Sequence, residues 1–268
     1  MNPDILMTNT IGPILGTALL IGVMAPLIGI ILVMRRFSLL ADTLAHVSLF
    51  GVAVSLWLSV PITLGAFMSA VLGGGGIEFL RRSRRVLSDA TLAIFLSGSL
   101  ALAVLLFALQ GVEAEEVEAY LFGNLAGVTS QDFFLVLGIA VILGVFFTVF
   151  YRQLFLVTLD EDLARVNGVA VDALNLGFML LASTVIAATI KAVGVLLVSA
   201  LIVLPVMAAL QWRLSFKRTL WLSLMFSVCS AIAGFAIAYV GGLPSGASIA
   251  LVTLVLFLLS YGVNRRSR

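Results

Sequence analysis

Asp42 and His46 stand four residues apart in an otherwise apolar run, Leu39-Leu40-Ala41-Asp42-Thr43-Leu44-Ala45-His46-Val47-Ser48-Leu49. One helical turn sets i and i+4 on the same face, so a helix brings this carboxylate and the chain's single imidazole to one side. Thr43 and Ser48 add polarity nearby. Carboxylate oxygen with imidazole nitrogen suits zinc, manganese or ferrous iron, so the pair can ligate a divalent cation crossing a membrane. The same spacing also serves a carboxylate–imidazole hydrogen bond that glues helices together, or a proton relay. A charge at the centre of a membrane helix costs about 2.5–3.5 kcal/mol on insertion scales, so the pair is expected to face an interior or a wet cavity. Two ligands are too few for a tight site. A twofold dimer would supply two Asp and two His, enough for a tetrahedral set, and weak ligation also suits an ion that must leave again.

A second group of residues is Leu159-Asp160-Glu161-Asp162-Leu163-Ala164-Arg165-Val166-Asn167-Gly168-Val169. Acids lead and a glycine ends the run, which predicts a short helix with its carboxylates at the positive end of the dipole and Gly168 at its C-terminus. Such a helix either connects two longer ones through water or docks into a groove on a partner.

The elements that position these residues belong in a bilayer. Of 268 residues 62% are hydrophobic and 10% charged, with mean hydropathy +1.23, against about 25% charged in soluble domains. Apolar runs of spanning length fall at about 11–34, 37–60, 62–80, 89–111, 132–151, 172–190, 193–212, 219–240 and 246–263, each near the roughly 20 residues a helix needs to cross. The expected fold is an all-α polytopic membrane protein of eight or nine transmembrane helices in one domain over residues 1–268. With the N-terminus outside and the C-terminus cytoplasmic, every basic residue except Lys191 lies on the cytoplasmic side, as the positive-inside rule requires. The first run is too long for a cleavable signal and reads as a retained helix.

Composition also excludes much. One cysteine, Cys229, rules out internal disulfides and Cys-based zinc knuckles, and one histidine rules out HExxH. Neither lysine follows a glycine, so there is no phosphate-binding Gly-Lys loop, and a net charge of +2 gives no footprint for nucleic acid. No GxSxG supports an intramembrane hydrolase.

Smaller features carry expectations of their own. Ala119–Ser130 is too short to cross and is expected as an interfacial or re-entrant segment on the outer side, after the acidic run Glu113–Glu118. Gly73–Gly76 is expected to let helices approach closely, and Pro26 and Pro205 to kink or break their spans. Arg81-Arg82-Ser83-Arg84-Arg85 reads as a topological anchor that also attracts anionic lipid. Lys191 is expected to snorkel to the outer interface.

Asp42 through Ala53, preceded by Arg35-Arg36-Phe37-Ser38-Leu39, resembles the second-helix signature of the permeases of zinc, manganese and iron uptake ABC importers. Tyr120-Leu121-Phe122-Gly123-Asn124, Leu159 through Gly168, and Val193 through Pro205 resemble the same family, in order and over essentially the whole chain. The resemblance implies a homodimeric, non-catalytic subunit of the bacterial cytoplasmic membrane. Two copies of an ATPase subunit would sit below it and an extracellular or periplasmic metal-binding protein above. It places the metal site on Asp42 and His46, and the ATPase-coupling helix on Asp160, Glu161, Asp162, Leu163, Ala164 and Gly168. No cofactor is implied beyond the transported metal, the ATP being used by the partner subunit. Asp-Thr-Leu-Ala-His, followed by Phe50 where manganese members carry Pro, implies zinc, with manganese or iron the alternative. The rival of another class is a proton-coupled secondary transporter, whose usual paired broken helices are not evident in the sequence.

Overall fold

A computed structural model describes residues 3–82, 88–123 and 125–266. Ser83, Arg84, Arg85, Asn124 and Arg268 of the motifs and charge pattern above lie outside the described residues. The described residues form eleven α-helices and no strand: α1 Pro3–Met34, α2 Leu39–Leu58, α3 Ile62–Arg82, α4 Ser88–Gln110, α5 Ala114–Phe122, α6 Ser130–Leu159, α7 Glu161–Val166, α8 Val171–Val193, α9 Val195–Leu210, α10 Phe216–Gly241 and α11 Ser245–Arg266. A 3-10 turn at Leu125–Gly127 follows α5. Eight of the helices are long and apolar enough to cross a membrane. The ninth expected span is α9, whose 16 residues rise about 24 Å against a hydrocarbon core of roughly 30 Å.

Burial sorts the helices into centre and rim. In their most apolar stretches 72% of α2 is buried but only 17% of α6. Helices α1, α2, α8 and α9 meet at the centre, α3 and α4 flank α2, and α10 and α11 flank α1 and α9. The core runs unbroken from Ile14 to Ile249. Its close approaches depend on small residues. A Cβ on Gly73 would lie 2.5 Å from Val47 Cγ1, and one on Gly74 would collide with Ser183 Oγ, so this glycine run lets α3 press on α2 from one side and α8 from the other. The expected packing role of Gly73–Gly76 is met at these two positions.

Pro26 and Pro205 do not end their helices: both lie inside α1 and α9, which run through them. One expected boundary needs correction. Helix α6 does not stop at 151. A capping box starts it, with Thr129 accepting from the Asp132 amide and Asp132 accepting from that of Thr129. It then runs through Arg152 and Gln153 to Leu159, because the apolar stretch Leu154–Leu159 resumes on the far side of that polar pair. Its 30 residues rise about 45 Å, more than the hydrocarbon needs, and the excess leads into α7 at the end of the bundle.

Candidate functional site

Helix α2 begins after a tight elbow. The Phe37 amide donates to the Leu32 carbonyl (2.7 Å), the Leu40 amide to the Phe37 carbonyl (3.0 Å), and Arg36 takes a left-handed conformation at φ 61°. Asp42 therefore falls in the first turn of α2 rather than at the centre of a span. There the helix dipole favours a carboxylate, which lowers the cost expected for a mid-membrane charge. His46 follows one turn deeper, buried at 6% exposure.

The imidazole of His46 donates Nδ1–H to the main-chain carbonyl of Asp42 at 2.8 Å. A carbonyl can only accept, so the proton sits on Nδ1 and the Nε2 lone pair is left for a ligand. The Asp42 carboxylate takes no part in this bond, so the carboxylate–imidazole tie considered from the sequence is not formed. Among the described residues no group of three or more His, Cys, Asp or Glu gathers as a metal cage. One protomer offers two candidate ligands.

Packing decides where those ligands face. Four parallel rows of i, i+4 residues run along α2, and three are covered along most of their length, as at Leu40, Leu44, Ser48 and Val52. The fourth row is Asp42, His46, Phe50, Val54 and Leu58. Asp42, Phe50 and Val54 are half-buried and Leu58 is 63% exposed. The two candidate ligands thus lie on the one row of α2 that the protomer leaves incompletely covered.

At the basic end of the bundle, α7 is built as the sequence implies. Asp160 caps it, accepting from the amides of Asp162 (2.9 Å) and Leu163 (3.0 Å). Gly168, at φ 79°, closes it: its amide donates to the Arg165 carbonyl and that of Val169 to the Ala164 carbonyl, both at 3.0 Å, the paired bonds of a Schellman ending. The residues divide by face. Ala164 is fully buried, while Asp162, Leu163 and Gly168 are exposed, with Val166 at 85%. Glu161 turns back into the bundle and accepts from Arg35, from Arg81 Nη1 (3.3 Å) and from Asn175 Nδ2 (3.2 Å). Arg165 pairs with Asp172 at 2.7 Å, and that carboxylate raises the guanidinium's pKa. A cleft of about 580 Å³ opens beside the end of α7, lined by Phe150, Arg152, Asn167 and Gly168 among others. It lies apart from Asp42 and His46.

The opposite end explains two further motifs. Gly194 (φ 88°) separates α8 from α9, and its backbone meets that of Gly123 (φ 73°), just after α5, so closely that a Cβ on either would overlap the other strand of chain. Gly246 of α11 packs on the same junction, where a Cβ would lie 2.6 Å from the Phe122 carbonyl oxygen, and the Leu125 amide donates to Ser245 Oγ at 3.2 Å. The segment after α5 is pinned at the α8–α9 break. Of the acidic run, Glu113 precedes α5 and Glu115, Glu116 and Glu118 lie exposed along it. Lys191 does not snorkel alone; it pairs with Asp132 at 2.6 Å.

Sequence reasoning missed Glu78, which is 1% exposed and bound to Arg81, and Asn175. The i, i+3 spacing of Glu78 and Arg81 was a usable signal for the first. Nothing local marks Asn175, whose partners lie 14 and 140 residues away.

The profile of the ABC 3 transport family matches residues 7–264. The chain is 35% identical over 249 residues to a probable metal transport system membrane protein of Treponema pallidum, covering 93% of each. It is 31% identical over 249 residues to the manganese transport system membrane protein MntC of Halalkalibacterium halodurans, covering 92% of this chain and 85% of that one. A solved structure described as PsaBC from Streptococcus pneumoniae in complex with Fab has a similar fold, with TM-score 0.84 and 27% identity over 96% of this chain and 94% of that one. The chain belongs to the ABC 3 transport family as a multi-pass, non-catalytic permease of the cytoplasmic membrane whose ATPase is a separate subunit.

Proposed function

We propose that this permease imports a divalent transition metal, zinc, and that Asp42 and His46 are its membrane ligands. The observation that carries the reading is the geometry of α2. A free Nε2 lone pair and a half-buried carboxylate share the row that the protomer leaves incompletely covered. A second copy placed against that row would contribute another Asp and another His, completing a four-ligand set. The metal chemistry is supported by the Treponema and Halalkalibacterium relatives, whose names describe metal and manganese transport. Zinc rests on the Asp42-Thr43-Leu44-Ala45-His46 pattern and on Phe50. Manganese or iron is the alternative, since the same donor atoms accept either.

In this reading the basic end faces the cytoplasm and α7 is the coupling helix. Its exposed Asp162, Leu163 and Val166 enter a groove on the ATPase subunit, two copies of which serve the dimer. An external binding protein delivers the cation to the end that carries α5. ATP binding in the partner then shifts the equilibrium between outward-open and inward-open forms, and hydrolysis resets it. The chain supplies ligation, gating and docking.

The decisive experiment is uptake of radioactive zinc and of manganese by the complex reconstituted with its ATPase subunit and binding protein, for wild type, Asp42→Asn and His46→Ala. Loss of uptake in both variants, with the complex still assembled, is expected. Normal uptake by either variant, or uptake that survives ATP depletion and collapses with the proton gradient, would overturn the reading.

A further inference from the structure

Two guanidinium and two carboxylate groups meet where α1, α3, α7 and α8 come together. Arg35 follows the last residue of α1. Its Nη1 donates to Asn175 Oδ1 of α8 at 2.8 Å and its Nη2 to Glu161 Oε1 at the start of α7. Arg81, in the last turn of α3, grips Glu78 through Nε (2.8 Å) and Nη2 (3.0 Å) and reaches the same Glu161 oxygen through Nη1 at 3.3 Å. The Phe37 ring lies 5.4 Å from the Arg35 guanidinium carbon and 6.0 Å from that of Arg81. The cluster is well removed from water, with side-chain exposure of 11% for Arg35, 2% for Glu78 and 32% for Glu161. Low exposure strengthens each charge-assisted bond relative to a surface pair.

The position of Arg35 gives this cluster a task. It stands at the start of the elbow between α1 and α2, where the amides of Arg35, Arg36, Phe37 and Leu40 donate to the carbonyls of Ile31, Val33, Leu32 and Phe37. Asp42 lies three residues beyond the first residue of α2, about 4.5 Å along its axis. A displacement of Glu161 therefore moves Arg35, and with it the turn of helix that carries the candidate ligand.

We propose that Arg35 is the positioning residue that couples α7 to the metal-ligating end of α2, so that movement of the ATPase-docking helix is converted into movement of Asp42. This inference rests on the reading of α7 as the docking helix. The guanidinium fork is what the role requires, because one planar group holds Glu161 and Asn175 at once, whereas an ammonium is a point charge without that fork.

The test measures metal uptake and ATP hydrolysis together in the reconstituted complex, using radioactive zinc and manganese. Arg35→Gln should still assemble with the ATPase subunit and hydrolyse ATP, while ions moved per ATP fall roughly tenfold or more. Arg35→Lys should show a loss of a few fold. A wild-type ratio in Arg35→Gln, including uptake and hydrolysis that fall in parallel, overturns the proposal. Should Arg35→Gln not fold, the ratio in Arg35→Lys decides in the same two directions. Val166→Glu separates this from the reading beneath it. That exposed α7 variant should lose ATPase binding, and if it assembles normally the docking assignment fails whatever Arg35 does.

Discussion

The His46 imidazole is tied by Nδ1–H to the main-chain oxygen of Asp42, 2.8 Å away, within one turn of α2. The bond sets the ring's tautomer and orientation in advance, as outer-shell carbonyls do for ligating histidines. The acceptor is backbone, so side-chain substitution at Asp42 removes a carboxylate and leaves the imidazole held. The two residues can therefore be tested separately.

Asp42→Asn and His46→Ala should each reduce metal uptake to about one hundredth of wild type or less, since even an outer-shell partner is worth about 10–100-fold. Metal bound per purified complex, counted by elemental analysis, should fall in parallel. Retention of bound metal by both variants would show that the cation is held elsewhere.

The incompletely covered row of α2 predicts where two copies touch. Cys229 is the only native cysteine, so a Cys229→Ser background is clean. In it, a cysteine at Val54 should cross-link two protomers on mild oxidation, whereas one at Val52, on a covered row at 1% exposure, should not. Disulfide formation needs Cα atoms within about 7 Å, and non-reducing electrophoresis reads the result. Equal cross-linking at both positions would refute the assignment of this row to the dimer axis.

Gly194→Ala should be severely destabilising. A φ of 88° with ψ 156° is close to glycine-only territory, and the added Cβ would meet the Gly123 backbone. Conformational strain and overpacking together cost about 2 kcal/mol or more. Gly111→Ala, at φ 66° but with open space around it, should cost roughly 1–2 kcal/mol. Thermal stability of the two detergent-solubilised variants should rank them in that order.

Asp160→Ala should weaken ATPase coupling without touching the metal ligands. Removing the cap costs about 0.5–2 kcal/mol, a large share for a helix of six residues. Asp160→Asn and Asp160→Ser, which can still accept from the Asp162 and Leu163 amides, should restore ATP-driven uptake. If the alanine and serine variants behave alike, the cap is not what holds α7 in its working form.

Local rules made much of this chain legible in advance. Uninterrupted apolar length identified the helices of the bundle to within a few residues in most cases, because hydrocarbon thickness sets that length. The four-residue spacing of Asp42 and His46 placed them on one face whatever surrounded them. Asp160 and Gly168 marked the two ends of α7, because capping uses only neighbouring backbone. Tertiary structure decided the rest. That the Asp42 row is the incompletely covered one depends on how α3, α4, α8 and α9 divide the other faces of α2. Glu161 meets Arg35 across 126 residues of chain, and Gly123 meets Gly194 as backbone against backbone. Periodicity and capping are properties of a few consecutive residues, but these contacts exist only once separate helices share a single packed interior, where the space each side chain leaves is set by others remote in sequence.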